Sequence, residues 1–491
     1  MSSPITQQLF RRRMPAGVVN TGVPDSIVQV IDEPDSSVTL KRSMSTFQLT
    51  LIGVGGTIGT GIFFILSEAV PKAGPAVLIS FILAAVVAGL TVVCYAELAS
   101  MMPSSGSSYS YTYATMGEMT AFIVGACLVL EYGVSAAAVA VGWSQYVNLL
   151  LENTLGFSFP EALSNAPDAG GIVNLPAVIV VMMCLVVLLR GASESATINS
   201  IMVIIKIAVL GVFAAIAFTA FHADHFANFG SHGVHGVSMA TGALFFSYIG
   251  LDGIATAGDE VKNPRKAIPR ALVAALVVVT SVYFLVGLAA LGAQRAEAFE
   301  GQEAGLAIIA QNVVGSTWPG TLIAIGAVIS IFSVTLICMY GQTRILYSMG
   351  RDGLIPSIFA KVSPRRSVPL ANTWLVAIAV ALLAGLLPMK ILADLTSIGT
   401  LTAFGLVSLG VMILRRTAPD MRRGFKVPGY PVTPILSIVA CVYVIVNLQV
   451  VTLLSFAVWI AVALTFYFMW SRKHSQLTKL QEEAERIAQG K

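Results

Sequence analysis

Apolar stretches of about 20 residues, long enough to cross the hydrocarbon of a bilayer as an α-helix, recur twelve times along this 491-residue chain. They run approximately over Thr46–Val70, Ala76–Met102, Met119–Leu150, Val173–Leu189, Ile198–Phe221, Val237–Ala257, Ala271–Gly292, Gly320–Tyr347, Val368–Leu387, Ile391–Leu414, Pro431–Leu448 and Val450–Trp470. The runs are continuous rather than alternating, which selects helices over a closed barrel. Composition agrees: 56% of the residues are hydrophobic and 11% charged, against about 25% charged in a soluble domain. An ordinary cytosolic enzyme, a disordered chain and a disulfide-rich secreted scaffold are excluded. The expected fold is an all-α membrane domain over 45–470, with a disordered cytoplasmic tail over 1–44 and a short cytoplasmic tail over 471–491. The lipid bilayer is the expected surrounding, and no nucleic-acid partner is expected.

An even number of spans places both termini on one side, and the basic residues choose it. With the N-terminus inside, 25 of the 29 Lys and Arg residues fall in cytoplasmic tails and loops, three (Lys72, Arg295, Lys390) fall outside, and Lys206 lies within the fifth span. This is the positive-inside asymmetry of a multi-pass plasma-membrane protein with cytoplasmic termini. The five cysteines (Cys94, Cys127, Cys184, Cys338, Cys441) lie in apolar runs and read as core hydrophobes. No C-x-x-C pair or His/Cys cluster suggests a metal. His222, His225, His232 and His235 gather in the outer loop after span 5 and read as solvated side chains. Leu306–Val314 reads as an outer surface helix, and Leu477, Leu480, Ala484 and Ile487 as one face of a cytoplasmic amphipathic tail.

Two spans carry sequence that a membrane helix normally avoids. Span 1 holds Gly53, Gly55, Gly56, Gly59 and Gly61 within nine residues; span 6 holds Gly250-Leu251-Asp252-Gly253. Glycine leaves helical geometry at the lowest cost, and unwound backbone at membrane depth survives only where it lines a cavity. A bland alternative makes these glycines packing seams, since Gly55 and Gly59 form a G-x-x-x-G pair. Matching breaks in the first spans of two groups of five instead point to an inverted repeat, over about 45–221 and 237–414, with two extra helices over about 431–470. Opened helix ends expose N–H groups and carbonyls together. That pairing suits a zwitterion, and hence an α-amino acid.

Charges buried in the spans ask for reasons. Lys206 lies about eight residues into span 5, roughly 12 Å from its cytoplasmic end. It reads as a proton-coupling amine or as a structural lysine bonded to carbonyls. Glu131 in span 3 reads as a substrate-side or relay carboxylate, or as the partner of a buried polar group. Asp252 orients the broken span or joins a proton path. Asp259, Glu260 and Lys262 form a cytoplasmic gate pair or a solvated loop.

The motifs Gly55-Gly56-Thr57-Ile58-Gly59-Thr60-Gly61-Ile62-Phe63, Tyr95-Ala96-Glu97-Leu98-Ala99, Phe245-Phe246-Ser247-Tyr248-Ile249-Gly250-Leu251-Asp252, Glu260-Val261-Lys262-Asn263-Pro264 and Tyr340-Gly341-Gln342-Thr343-Arg344 carry a resemblance. Over nearly all of residues 40–470 the chain resembles the amino acid–polyamine–organocation transporters, specifically the bacterial members of the cationic amino acid transporter family. The resemblance implies the five-plus-five leucine-transporter fold in a bacterial inner membrane. It implies a substrate carboxylate on the backbone of Ile58, Gly59, Thr60 and Gly61, and an ammonium at carbonyls near Phe246, Ser247 and Ile249. Phe246 would serve as an aromatic lid, and Gly55, Gly56, Gly250 and Asp252 would support the breaks. It also implies that the Lys206 amine stands where sodium-coupled relatives hold a sodium ion. The coupling ion would then be a proton, with no sodium and no cofactor.

The expectation is an L-amino acid importer working by proton symport and alternating access, alone or with a small membrane-protein subunit. Glu131 is the one carboxylate placed to meet a basic side chain, and the substrate class stays open between cationic and neutral. An amino acid or polyamine exchanger on the same fold is the first rival, and a non-transporting membrane sensor the second. No paired carboxylates, metal cluster or Ser/His constellation supports an enzyme.

Overall fold

A computed structural model describes residues 44–59, 61–102, 107–190, 196–256, 261–363, 368–421, 423–476 and 478, with 196–199 and 256 described by backbone only. The secondary structure among these is helical; the one β-type pairing is an isolated parallel bridge between Met44 and Val261. The principal helices are α1 (Thr46–Thr57), α2 (Leu66–Ala73), α3 (Val77–Met101), α4 (Ser107–Met116), α5 (Glu118–Leu155), α6 (Leu175–Leu189), α7 (Ala196–Phe218) and α8 (Gly233–Phe245). They continue as α9 (Gly253–Thr256), α10 (Pro264–Ala293), α11 (Gly305–Val314), α12 (Trp318–Arg351), α13 (Leu370–Leu386), α14 (Met389–Thr417), α15 (Val432–Val446) and α16 (Val450–Phe466). Eight stretches among the described residues are long and apolar enough to cross a membrane, and α6, α13 and α15 are shorter apolar helices.

Helix ends follow their local chemistry. Ser45 and Gln48 close a capping box on α1, and the Asn174 side chain caps α6 ahead of Pro176. Helix α10 begins at Pro264, seven residues before its apolar run, because proline is favourable in a first turn. Helix α4 has no apolar period; its Ser, Thr and Tyr side chains are nearly all buried, with Tyr109 donating to Asp352 at 2.7 Å and Thr115 donating back to the Tyr111 carbonyl of its own helix at 2.8 Å. A hydroxyl-rich helix of this kind is invisible to hydrophobic periodicity. Helix α11 matches the outer surface helix and buries Leu306, Ala307, Ile309 and Ala310.

The longest helices, α5 and α12, pack along each other. Glycine sets their separation: a Cβ on Gly125 would approach Met349 Sδ to 2.8 Å, and one on Gly133 would approach Gln342 Nε2 to 2.7 Å. Helix α3 lies along α10, where Gly287 admits the Phe81 ring. Helices α15 and α16 turn Val432, Leu436, Val439, Val450, Leu454, Val458 and Val462 outward, apolar surface that lipid covers. Beyond Trp470 the chain stays attached, with the Ser475 hydroxyl donating to Glu118 at 2.8 Å; Leu477, Leu480, Ala484 and Ile487 lie outside the described residues, as does the tail over 1–43.

Glu97 near the end of α3 ties three segments. Arg415 of α14 donates from Nε to Oε1 at 2.9 Å and from NH2 to Oε2 at 2.6 Å, Arg423 donates at 3.3 Å, and the Val427 amide donates at 2.6 Å. Glu97 is 1% exposed, and Arg415 also stacks on Tyr430. Removing one member of such a buried, fully bonded group strands the others. Glu97→Ala is expected to destabilise the fold by about 3–5 kcal/mol, read as a lower melting temperature in detergent. Glu97→Gln, which keeps the acceptor, is expected to lose less.

Candidate functional site

Helix α1 stops at Thr57 in the middle of the molecule, and its last carbonyls need donors that no next turn supplies. The chain's own Ile58 still supplies one, and two come from other helices. The Val54 carbonyl accepts the Ile58 amide at 2.8 Å. The Gly55 carbonyl accepts Lys206 Nζ from α7 at 3.0 Å. The Thr57 carbonyl accepts the Tyr283 hydroxyl from α10 at 2.8 Å. Ile58 is then extended, and Gly59 takes φ +123°, open to glycine and strained for other residues. Helical bonding resumes at the Gly61 carbonyl, which accepts the Ile65 amide.

Helix α8 ends at Phe245, followed by one 3-10 turn over Phe246–Tyr248, extended Ile249 and Gly250 at φ +98°. The two breaks touch through backbone. A Cβ on Gly250 would lie 2.7 Å from the Gly56 carbonyl oxygen, and one on Gly61 would lie 1.9 Å from Ser247 Oγ and 2.7 Å from Ser247 Cα. The Tyr283 hydroxyl also lies 2.9 Å from the Ser247 carbonyl, so a single proton serves both breaks. Phe246 is fully buried against Phe64 across the gap, ring centroids 5.9 Å apart. Ser247 Oγ is buried with no hydrogen-bond partner among the described residues. Beside Gly59 stand Ser330 Oγ and Val334 of α12.

The acidic groups sit behind the breaks. Asp252 accepts the Tyr132 hydroxyl of α5 at 2.9 Å. Glu131, one residue earlier, faces α14, where a Cβ on Gly399 would lie 3.7 Å from its Cβ. Among the described residues neither Glu131 oxygen meets a donor in hydrogen-bonding geometry; the neighbouring Thr400 hydroxyl donates to the Thr396 carbonyl. Cys338 of α12 is buried, with its Sγ 3.9 Å from the Ser135 hydroxyl of α5.

Of the residues expected to form the site, Gly55, Gly56, Ile58, Gly59, Gly61, Phe246, Ser247, Ile249 and Gly250 lie along the two breaks, and Lys206 reaches the first from α7. Asp252 directly follows the second break. Among the described residues Glu131 makes no hydrogen bond to either break. Thr60, Asp259 and Glu260 lie outside the described residues; Lys262 is exposed and bonds through its amide to the Met44 carbonyl. The tyrosines were missed. Tyr132 and Tyr283 serve Asp252 and both breaks, and Tyr146 donates to the Phe63 carbonyl at 2.5 Å. The available signal was a phenol at mid-span, where a buried hydroxyl needs an acceptor.

A helical membrane protein whose centre is two facing, backbone-lined breaks is built as a transporter. The profile of a family described as amino acid permease matches residues 44–471. The branched-chain amino acid permease BcaP of Bacillus subtilis (strain 168) is 41% identical over 458 residues, 92% of this chain and 98% of the relative. The methylthioribose transporter of the same organism is 40% identical over 456 residues, with the same coverage of both chains. Cationic amino acid transporter 4 of Mus musculus is 33% identical over 419 residues, 81% of this chain and 64% of the relative. The chain belongs to the amino acid permease family, and its activity is amino acid transport across a membrane.

The approach of Gly61 to Ser247 yields a test. Gly61→Ala drives a methyl into Ser247 backbone, a strain of about 1–3 kcal/mol placed between the two breaks. It is expected to abolish both uptake and the rise in melting temperature on adding substrate. Gly211→Ala on exposed α7 surface, where a Cβ meets nothing within 4 Å, is expected to leave both intact.

Proposed function

We propose that the chain is a proton-coupled importer of neutral, branched aliphatic L-amino acids in the cell membrane, working by alternating access. It would have twelve spans with both termini cytoplasmic, and two inverted repeats of five spans led by the broken helices. The single observation that carries this reading is the bond from Lys206 Nζ to the Gly55 carbonyl, at the end of α1. It joins an ionisable amine to the backbone segment that would hold the substrate. The positive-φ glycines, Gly59 in the first break and Gly250 in the second, support reading the two breaks as a matching pair.

In this reading the substrate carboxylate meets the backbone of Ile58, Gly59, Thr60 and Gly61. Its ammonium meets carbonyls at Phe246, Ser247 and Ile249, and Phe246 closes over it. The apolar class follows from Ile58, Phe246, Ile249 and Val334, and from the branched-chain permease matching over nearly its whole length. The fixed groups neutralise the zwitterion, so the side chain alone sets the class. A second reading rests on Glu131: a buried carboxylate without a bonded donor favours a cationic side chain.

The coupling follows from charge. A protonated Lys206 places a cation at the carbonyl end of α1, where the helix dipole favours it; a neutral amine loosens that hold, and the two states favour different conformations. No cofactor and no sodium ion enter this scheme.

In proteoliposomes with an inward proton gradient, leucine, isoleucine or valine is expected to accumulate. Lys206→Ala is expected to abolish accumulation while retaining counterflow, and full gradient-driven uptake by that variant would refute the coupling role. At 100 times its Kd a substrate contributes about 2.7 kcal/mol of stability, so a thermal-shift screen separates the classes. Stabilisation by arginine and lysine but by no aliphatic amino acid favours the Glu131 reading.

A further inference from the structure

The motif Tyr340-Gly341-Gln342 has no part in the site described so far, yet it is fitted to α5. A Cβ on Gly341 would lie 2.6 Å from Tyr132 Cε1, so the absence of a side chain there is the slot that receives the Tyr132 ring. The next residue, Gln342, donates to the Val129 carbonyl at 3.1 Å and presses on Gly133. Helix α12 thus grips α5 on both sides of Tyr132. The hydroxyl of the gripped ring donates to Asp252 at 2.9 Å.

Asp252 sits on a joint. Gly250 before it takes φ +98° and touches Gly56 backbone. Gly253 after it has no described atom within 4 Å of a would-be Cβ. Its φ lies outside the left-handed region, so the turn of the chain is made at Gly250 alone. The short helix α9 begins just after it, with Ile254 and Ala255 buried and Ile254 packed against Gly53 of α1. A carboxylate just beyond the second break is held by a phenol of α5 whose ring is seated against Gly341 of α12.

We propose that Tyr132 is a positioning residue for transport. Its hydroxyl ties Asp252, and with it the inner part of the second broken helix, to the α5–α12 pair in the closed state of the site. Every exchange cycle passes through that closed state, with Phe246 and Ser247 shut away from solvent. Without the tie the joint opens more readily and the closed state is less populated. The proposal rests on the alternating-access part of the proposed function and is independent of the coupling ion.

Cys338 of α12, 7% exposed and 3.9 Å from the hydroxyl of Ser135, three residues after Tyr132 on α5, reports the opening, since a buried thiol is alkylated only when the site opens. In purified full-length protein, Tyr132→Phe is expected to speed N-ethylmaleimide labelling of Cys338, followed by mass spectrometry, by about five-fold or more. In proteoliposomes it is expected to lower the maximal rate of leucine counterflow about ten-fold, with KM within about two-fold. Labelling at the wild-type rate overturns the proposal, as does counterflow at the wild-type rate or a loss confined to KM. Should Tyr132→Phe not fold because it strands the carboxylate, Tyr132→Phe with Asp252→Asn removes the tie without an unpaired charge and is judged by the same readouts. If the wild-type protein exchanges no amino acid, the transport reading has failed and Cys338 labelling alone decides.

Discussion

A helix that ends inside a membrane protein has carbonyls and no water to satisfy them, and the centre of this molecule is organised around that constraint. In hydrocarbon an unbonded peptide group costs several kcal/mol. The end of α1 at Thr57 is tolerated because α7 and α10 each bring one donor to it, Lys206 to Gly55 and Tyr283 to Thr57. Those two side chains fix which helices stand around the first break. The second break is fixed in turn, because the Tyr283 hydroxyl also faces the Ser247 carbonyl and because Gly250 backbone lies on Gly56.

The same constraint accounts for the glycines. Once two broken helices must face each other with backbone in contact, a side chain between them has nowhere to go. Gly61 against Ser247 and Gly250 against Gly56 are contacts that a methyl group would push apart. Gly59 differs, since its φ of +123° is itself the turn that redirects the chain. A packing seam of the G-x-x-x-G kind requires close approach but no departure from helical geometry. Gly59 and Gly250 both depart from it, which distinguishes these breaks from such a seam.

What the sequence made legible follows from which forces are local. The apolar runs and the breaks could be read because length, hydropathy and glycine density are properties of neighbouring residues. Lys206 stood out because a lone ammonium deep in an apolar run has so few explanations. Helix α4 could not be read, since its burial is set by partners such as Asp352, 243 residues away from Tyr109. Tyr132 and Tyr283 were missed for the same reason. Their hydroxyls meet acceptors 120 and 226 residues distant, and nothing beside them in the chain announces it. Glu97 was visible only as part of a motif; its role as the junction of α3, α14 and the Arg423–Val427 stretch is a tertiary fact.

These bonds also bear on how, in the proposed function, one amine would be structural and a coupling group at once. A lysine whose only task was to satisfy a carbonyl would be replaceable by a hydroxyl, and Tyr283 does that work two residues further on with no charge to bury. The ammonium differs from the phenol in its net charge, and it faces the end of a half-helix where that charge is favoured. On the proton-coupled reading, protonation then changes the strength of a bond that the fold already needs. The proposed substrate segment would begin three residues beyond Gly55, so a change in that bond would be felt where the substrate carboxylate would lie. A coupling group placed in solvent, or on a helix away from the break, would have no such leverage.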